Sequence, residues 1–380
     1  MKKNLGIALM LFAPPACPAE ESAVIADEEK RDLKEVQIVT AEYLTRCSCV
    51  SMSTDGKFLY VAASTGFVSI FERDAQTGRI DNRSWLQMPE FSWAVSIRLS
   101  PDNRYAVSAA AGSKTPVVFE RDRESGNLEM LNEPSEVDDA KFDMTNLAEG
   151  VMSKDNQFIY AGAAAGVAML KRKNGQIELL GGVNAHGMLR GVRSIVLSAD
   201  ETMLYAAAVA TSSLGVFRRD AKTGELQAVQ ILTDGQEGIR GLGGIFRIAR
   251  SADGKHLYSC SGRMGGDNAV SAFEVLADGK LKLLEEHING ENGFIDFEGG
   301  NTIAVSPDDK YVFATATNSD RIARFRRNAK TGRLTFLGSQ VVGPMVRLGA
   351  HGVCFSPDGR FVYIADQDSN SIVVLQQPSH

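Results

Sequence analysis

The sequence has no concentration of basic residues. Its 41 Lys and Arg are spread along 380 residues beside 47 Asp and Glu, and the formal net charge is −6. Because proteins that bind nucleic acid usually carry a basic patch or stripe, nucleic acid is not an expected partner. The sequence also lacks an apolar run near the length of about 20 residues that a transmembrane helix needs, so no membrane span is predicted.

Motifs for metal and cofactor chemistry are also missing. The sequence has no C-x-x-C pair of the zinc type, no C-x-x-C-H motif for covalent haem, no phosphate-binding loop and no nucleophile elbow. We therefore predict neither a metal nor a cofactor.

The first 19 residues have the pattern of a secretory signal peptide. A positively charged start precedes the apolar run LGIALMLFA, and small residues before Glu20 offer a cleavage site. We interpret residues 1–19 as a signal peptide and residues 20–32 as a flexible lead, and we expect a secreted or periplasmic protein. A buried N-terminal helix and a lipid-modified Cys17 are the alternatives.

One sequence unit recurs seven times in the rest of the chain. Each copy reads S-x-D, then Gly or a polar residue, then an apolar run that usually ends in Tyr. The serines are 45 to 55 residues apart, which is the period of a four-stranded propeller blade. They are Ser53, Ser100, Ser153, Ser198, Ser251, Ser306 and Ser356.

A second turn signal, near copies of D/N-A-x-T-G, follows the third apolar run of several units and ends in a Gly that can adopt positive φ. The seventh unit stops before this turn, but residues 33–40 (LKEVQIVT) closely copy residues 226–233 (LQAVQILT). We therefore predict that residues 33 to 41 form the outer strand of the last blade, which limits exposed sheet edges. Residues 33–380 are then a single all-β domain, a seven-bladed β-propeller.

The four cysteines beyond residue 19 allow two interpretations. Cys47 and Cys49 lie in the first unit and Cys354 in the last, and these units become neighbours if the ring closes. A ring-closing disulfide is one interpretation, because an oxidising compartment permits it. Free buried thiols, with Cys260 among them, are the other.

The repeat resembles that of the YVTN-repeat and lactonase-type propellers, a group that includes bacterial 6-phosphogluconolactonase. The matching stretches are S-P-D-G-R/K-x-x-Y and V-x-x-F-x-R-D-x-x-T-G-x-L, and they cover residues 33–376. No Trp-Asp dipeptide of the WD40 type ends the third strand, and the aromatic register of a sialidase Asp-box is missing. Related propellers serve as enzymes, binding surfaces and redox-protein subunits, so the fold alone does not set the function.

The starting ends of the innermost strands form one mouth of a propeller's central channel, where ligands usually bind. Residues four to seven places before the repeat serine should lie there. The fifth place holds Ser48, Val95, Ala148, Arg193, Phe246, Asn301 and His351, and the fourth place holds Cys49, Ser96, Glu149, Ser194, Arg247, Thr302 and Gly352. Charged groups at this narrow end are costly unless paired or hydrated. They predict either ion pairs that brace the channel or a site for an anionic or polyhydroxylated ligand.

The resemblance implies roles for these residues, because a His, Arg residues and a Glu gather at this mouth in lactonase-type enzymes. A near-neutral His or a carboxylate can activate water, and Arg can stabilise an oxyanion. The catalytic candidates are His351, Arg193, Arg247 and Glu149. The substrate-binding candidates are Arg46, Trp93, Asn301 and Glu298. His186 and Arg190, in a Gly-rich loop, could also reach the rim.

Three features depart from that family. His351 lies in the seventh unit and Arg193 in the fourth, whereas the family takes its His and Arg from adjacent blades. The Glu expected after the second strand of the Arg-bearing blade is missing, because small residues follow Tyr205. An export signal also conflicts with a cytosolic sugar-phosphate substrate.

Two main functions are consistent with these observations. The first is an extracytoplasmic lactonase-like hydrolase that acts on a sugar lactone or a related small molecule at the channel mouth. The second is a non-catalytic binding or scaffold propeller at the cell envelope that recognises a protein or a glycan. A redox-chain subunit without its own cofactor motif is a third. Convergence of His351, Arg193 and Arg247 in one solvated pocket favours the first, whereas an Arg247–Glu149 pair in an apolar channel favours the second.

Overall fold

A computed structural model describes residues 32–87, 94–131, 141–173, 176–342 and 349–378. The predicted signal peptide, the predicted lead except residue 32, and Trp93 lie outside these ranges. Within them the chain has 28 β-strands and one 3₁₀ turn, Glu42–Leu44. No helix in the described ranges has the length and apolar character needed to cross a bilayer.

The strands form seven four-stranded antiparallel blades, and each blade follows one sequence unit. A single parallel bridge, Gly262–Gly300, joins the fifth and sixth blades into one sheet. Blade 1 has β2 (Cys47–Met52), β3 (Phe58–Ala63), β4 (Phe67–Arg73) and β5 (Ile80–Gln87). Blade 2 has β6 (Ala94–Leu99), β7 (Tyr105–Ala110), β8 (Val117–Arg121) and β9 (Leu128–Met130). Blade 3 has β10 (Glu149–Met152), β11 (Phe158–Gly162), β12 (Val167–Lys173) and β13 (Gln176–Val183). Blade 4 has β14 (Val192–Leu197), β15 (Met203–Ala208), β16 (Ser213–Arg219) and β17 (Leu226–Thr233).

The other three blades repeat this arrangement. Blade 5 has β18 (Ile245–Arg250), β19 (His256–Gly262), β20 (Gly265–Val275) and β21 (Leu281–Ile288). Blade 6 has β22 (Gly300–Val305), β23 (Tyr311–Ala316), β24 (Arg321–Arg327) and β25 (Leu334–Val341). Blade 7 has β26 (Ala350–Phe355), β27 (Phe361–Asp366) and β28 (Ser371–Gln376). Its fourth strand is β1 (Lys34–Thr40), which pairs antiparallel with β28 from Lys34–Gln376 to Thr40–Ser371.

The serine of each repeat organises the turn between the first two strands of its blade. In all seven repeats its Oγ donates to the Asp two residues later at 2.5 to 2.6 Å. The same Oγ accepts the N–H five residues later at 2.9 to 3.1 Å. The fourth turn residue has φ between 58° and 70° in every blade, which explains why Gly or Asn is frequent there.

The Tyr seven places after the serine joins neighbouring blades. Tyr363 of blade 7 donates to the Gly78 carbonyl of blade 1 at 2.8 Å, and Arg73 of blade 1 donates through Nε to the Tyr363 hydroxyl at 2.7 Å. Arg73 also donates to the Gly56 carbonyl at 3.2 Å, and its guanidinium lies 3.5 Å from the Asp358 carboxylate. We call this set of contacts the Arg–Tyr clamp.

Equivalent Arg–Tyr clamps join three further pairs of blades. They are Arg121–Tyr60 between blades 1 and 2, Arg219–Tyr160 between blades 3 and 4, and Arg327–Tyr258 between blades 5 and 6, with Nε to hydroxyl distances of 2.5 to 2.8 Å. The clamp explains why Tyr and R-D/N-x-x-T-G recur together, because the hydroxyl receives a buried guanidinium N–H and donates to the turn Gly. Blades 2 and 6 have Val107 and Phe313 at the Tyr position, and blades 5 and 7 have Val275 and Gln377 at the Arg position.

The apolar core is divided into layers between neighbouring blades. In the layer between blades 7 and 1, Leu59 and Val61 of β3 pack with Tyr363 and Val374 of β27 and β28. Each blade therefore depends on its neighbours for burial of its faces, as expected for stacked repeats.

The four cysteines in the described residues are free thiols. Cys47 Sγ lies 3.2 Å from the Asp366 carbonyl oxygen and 3.3 Å from that of Ser371. Burial raises the thiol pKa of Cys47, and it raises that of Cys260 to about 12. The structure therefore corresponds to the interpretation of buried thiols and not to a ring-closing disulfide.

Candidate functional site

A β-bulge lies at the start of the innermost strand in six blades. The register with the second strand shifts at the fifth residue before the serine in blades 1, 2, 4, 5, 6 and 7. A bulged residue leaves the alternation of the strand, and bulges often redirect a side chain next to a functional site. The fifth place is therefore where a blade can direct a side chain into the channel without breaking its own sheet.

The fifth-place residues line one cavity of about 320 Å³ at the channel mouth. Those that line it are Ser48, Ala148, Arg193, Phe246, Asn301 and His351. The other lining residues are Arg46, Ser64, Arg247, Arg263, Met264 and Gln367. Four of these described lining residues are arginines and none is an acid, so the cavity favours an anion.

Glu149 does not line this cavity and is only 1% exposed. Its carboxylate forms ion pairs with Arg98 and Arg247. Its Oε1 is 2.6 Å from Arg98 Nη2 and 3.5 Å from Arg247 Nη1, and its Oε2 accepts the Ile195 N–H at 2.8 Å. Burial by itself would raise the pKa of Glu149, but Arg98 and Arg247 hold it below its usual value. The carboxylate is thus an anion whose two oxygens are engaged by groups from blades 2, 4 and 5.

Arg193 and Arg247 are stacked along the inner strands of blades 4 and 5. Arg247 Nη1 donates to the Arg193 carbonyl oxygen at 2.6 Å. Burial and the nearby Arg247 charge lower the pKa of Arg193. The Nε atoms of Arg193 and Arg263 are buried and have no hydrogen-bond partner within the described ranges. Both residues line the cavity, so a ligand there would be bound through the terminal nitrogens of their guanidinium groups.

His351 is surrounded by positive charge. Its Nε2 lies 3.4 Å from Arg263 Nη2. Burial lowers the pKa of His351 to about 3, and the charges of Arg263, Arg247 and Arg46 contribute to the shift. The imidazole is therefore neutral at ordinary pH and presents a lone pair or an N–H to the cavity.

Gln367 connects His351 to Arg46. Its amide is assigned with the oxygen toward Arg46, 3.2 Å from both Nε and Nη2, and with the nitrogen toward the His351 ring, 2.5 Å from Nε2 and 3.0 Å from Nδ1. Arg46 itself has a backbone φ of 57°, and its N–H donates to Asn370 Oδ1 at 2.7 Å. A non-glycine residue in this conformation at a ligand cavity is a feature often associated with function.

A second cavity of about 560 Å³ adjoins the first. Arg193 and Met264 line both cavities, and Arg190, Ser212 and Gly244 lie farther out. The two spaces together could hold a ligand larger than one sugar ring.

Five of the eight predicted site residues line the first cavity: Arg46, Arg193, Arg247, Asn301 and His351. Glu149 lies below it. Glu298 is exposed and is not among the lining residues; only its backbone forms hydrogen bonds, with Ser319 Oγ and the Asn318 N–H. Trp93 lies outside the described residues. In the part of the chain that is described, no three His, Cys, Asp or Glu side chains are grouped as a metal would require.

Sequence reasoning missed Arg98, Arg263 and Gln367. Arg263 and Gln367 follow the second strands of blades 5 and 7, eleven or twelve places after the repeat serine. The resemblance already placed a family Glu after a second strand, so aligning that position across the units would have found both. Arg98 gives no such signal, because its role depends on its contact with Glu149 of the next blade.

Three comparisons with known proteins bear on the assignment. A match of 127 residues, 30% identical, links the chain to a 6-phosphogluconolactonase of Formosa agariphila, but it spans only 33% of this chain and 34% of that protein. The periplasmic gluconolactonase of Pseudomonas aeruginosa is 21% identical with a TM-score of 0.64, over 78% of this chain and 85% of that one. Hydrazine synthase of Kuenenia stuttgartiensis is 18% identical with a TM-score of 0.64, over 89% and 97% of the two chains.

The two structural likenesses show the fold alone, since similar propellers carry different activities. The family assignment rests on the sequence profile described as "Lactonase, 7-bladed beta-propeller". It matches residues 22–142, 136–239, 189–348 and 267–379, which together span nearly the whole chain. The chain belongs to the family of seven-bladed lactonase β-propellers.

Proposed function

We propose that this protein hydrolyses a sugar lactone that carries an anionic group, outside the cytoplasm, at the mouth of the central channel. The observation that carries the proposal is the cavity lined by four arginines, a neutral His351 and no carboxylate. Such a site attracts an anion and can stabilise the oxyanion that forms when water attacks a lactone carbonyl. Family membership, the features of residues 1–19 and the likeness to a periplasmic gluconolactonase support the compartment and the chemistry.

Each side chain has a definite role in this proposal. Arg193 and Arg263 line the cavity and donate to the lactone carbonyl oxygen or to the anionic group through their terminal guanidinium nitrogens. His351 accepts a proton from the attacking water and returns it to the ring oxygen as the ring opens. Glu149 is a positioning residue, because it holds Arg247 and Arg98 and does not line the cavity.

The low pKa of His351 makes the substrate's charge part of the mechanism. An imidazole with a pKa of about 3 is a weak base. The shift comes from burial together with three arginines, so an anion bound between Arg46, Arg247 and Arg263 offsets the repulsion and raises the pKa of His351. Anionic lactones should therefore react faster than neutral lactones of the same size, beyond any difference in binding.

The test is hydrolysis of a lactone panel by the purified chain without residues 1–19. Gluconolactone serves as the neutral member, and 6-phosphogluconolactone and a uronic acid lactone serve as the anionic members, each corrected for hydrolysis in buffer. His351→Ala should remove turnover, whereas His186→Ala is the matched control because His186 is exposed and does not line the cavity. Turnover no faster than buffer, or equal turnover by His351→Ala, would refute the mechanism.

One observation favours the alternative of a binding propeller. The described cavity lining offers no base with a pKa near neutral, because His351 is depressed and Glu149 is engaged with Arg98 and Arg247. A propeller of this kind would bind a sugar acid without turnover. Calorimetry with gluconate and 6-phosphogluconate separates the two functions: saturable binding that Arg263→Ala weakens, combined with no hydrolysis of any lactone, supports the binding function.

A further inference from the structure

The interface between blades 4 and 5 lacks the arginine of the Arg–Tyr clamp. Val275 occupies the position of this arginine in blade 5. The Val275 N–H donates to the Lys255 carbonyl at 2.8 Å, and the Arg73 N–H makes the equivalent contact with the Lys57 carbonyl at 2.8 Å. The following turn is also one residue shorter than the turns that follow Arg73, Arg121, Arg219 and Arg327 in the blades that supply a clamp arginine. No side chain of blade 5 therefore supplies the guanidinium at this interface within the described residues.

The groups that would receive a guanidinium are nevertheless present. In the clamp of blades 7 and 1, Arg73 has three contacts. They are the Tyr363 hydroxyl of blade 7, the Gly56 carbonyl in the first turn of blade 1, and the Asp358 carboxylate in the first turn of blade 7. The corresponding groups between blades 4 and 5 are Tyr205, the Gly254 carbonyl and Asp200. We call these three groups the open clamp.

The open clamp has acceptors without a cationic partner. Tyr205 is 1% exposed, and its hydroxyl donates to the Gly279 carbonyl at 3.2 Å, but no donor to this oxygen occurs in the described parts of the chain. Asp200 accepts only from Ser198 and Thr202 of its own turn and forms no ion pair there. In the four complete clamps the same hydroxyl accepts an arginine N–H.

The three groups of the open clamp line one cavity of about 620 Å³ between the turns of blades 4 and 5, on the face of the propeller opposite the mouth. Met203, Val275 and Leu276 provide an apolar side for the stem of a long side chain. Of the other acids in the lining, Asp253 pairs with Arg327, and Asp278 pairs with Lys280. Asp200 is therefore the carboxylate that remains for a ligand.

We propose that the open clamp binds a guanidinium group from outside the chain, either an arginine side chain of a protein partner or free arginine. The planar donors would contact the Tyr205 hydroxyl, the Gly254 carbonyl and Asp200, as the internal arginines do in the complete clamps. Arg218 and Arg219 line the same cavity. Arg219 is held by Tyr160 and Glu201, so exposed Arg218 is the internal competitor to be considered. The proposal is independent of the lactonase proposal, because the two cavities share no lining residue.

The binding test uses the purified chain and blocked arginine, N-acetyl-argininamide, in an NMR or calorimetric titration. Asp200→Asn and Tyr205→Phe should each weaken its binding at least tenfold, since each removes a contact to a charged group. N-acetyl-lysinamide should bind less tightly, because an ammonium cannot reach three acceptors in a plane. Free arginine in a parallel titration shows whether the source is an amino acid: tighter binding than the blocked form indicates free arginine, and equal binding indicates a protein side chain.

A stability measurement keeps the proposal testable where binding is weak. Val275→Arg supplies the missing guanidinium and should raise the urea midpoint above that of Val275→Met, which has a similar length without charge, and it should abolish binding of N-acetyl-argininamide. No gain over Val275→Met, or binding that Asp200→Asn and Tyr205→Phe leave unchanged, overturns the proposal. Lactone hydrolysis or, without turnover, gluconate binding at the mouth should be the same in all four variants.

Discussion

Replacement of Tyr363 by Phe should cost much more stability than the loss of one hydroxyl suggests. The hydroxyl takes part in two hydrogen bonds across the junction of blades 7 and 1, to the Gly78 carbonyl and from Arg73 Nε. The Arg73 side chain is 3% exposed, and its Nη2 has no hydrogen bond among the described residues. Tyr363→Phe therefore leaves a second buried nitrogen of a charged group without an acceptor.

The magnitude follows from the kinds of bond that are lost. A hydrogen bond to a charged group contributes about 1.5–3 kcal/mol and a neutral one about 1 kcal/mol, so Tyr363→Phe should lower the free energy of unfolding by about 2.5–4 kcal/mol. Tyr205→Phe is the matched control, because its hydroxyl has the Gly279 contact at 3.2 Å and no arginine. It should cost only about 1 kcal/mol.

The assay is urea unfolding followed by fluorescence and by circular dichroism on the wild type and both variants. Coincident transitions in the two signals establish that a single free energy applies. Equal losses for Tyr363→Phe and Tyr205→Phe would refute the reasoning, because the charged clamp would then add nothing beyond a neutral hydrogen bond.

Three further predictions follow from the site and the core. The pKa of His351 in the folded protein, about 3, lies below its ordinary 6.5, so its stabilising contribution is present above about pH 6.5 and is lost as the pH falls toward 3. His351→Gln should therefore reduce the loss of unfolding free energy between pH 6.5 and 3, and NMR of the wild type should show no protonation of the ring at pH 5. Glu149→Gln should lower the free energy of unfolding by about 3 kcal/mol, because it leaves buried Arg247 without its anion, while exposed Glu298→Gln should change it by less than about 0.5 kcal/mol. Cys47 and Cys260 should resist iodoacetamide in the native protein and react once it unfolds, since burial raises both thiol pKa values; a mass 2 Da lower without reductant would instead indicate a disulfide.

The architecture could be predicted from the sequence because the repeat encodes local chemistry. Each S-x-D unit fixes its own turn through Ser Oγ, and the apolar runs around it fix two strands, so the position of Ser53 already determines β2 and β3. The outer strand expected over residues 33 to 41 occurs as β1, Lys34–Thr40. These inferences need only neighbouring residues and one copied segment.

The site was harder to predict because its contacts join residues far apart in the chain. Arg98 and Glu149 are 51 residues apart, and Arg263 and His351 are 88 residues apart. Whether Glu149 faces a ligand or braces Arg247 depends on which arginines reach it from blades 2 and 5, and no single unit contains that information. Both alternatives for the channel mouth are in fact combined: Arg247 pairs with Glu149, while His351, Arg193 and Arg247 line one cavity.

The two ends of the channel suggest a general way to interpret a repeat of this kind. At the mouth, function is expected where a unit departs from small residues at a bulged position, as at Arg193 and His351. On the opposite face, a binding function is expected where one residue of the Arg–Tyr clamp is replaced while its partner residue is kept. Val107 and Phe313 remove the Tyr and so leave no hydroxyl acceptor, but Val275 removes the Arg and leaves the acceptors of Tyr205 and Asp200 in place. The loss of Tyr at Val107 leaves a buried donor, the Nε of Arg172, without a partner among the described residues. The loss of Arg at Val275 instead leaves the buried Tyr205 hydroxyl without a donor, and an unsatisfied buried acceptor of this kind favours a ligand that brings a donor.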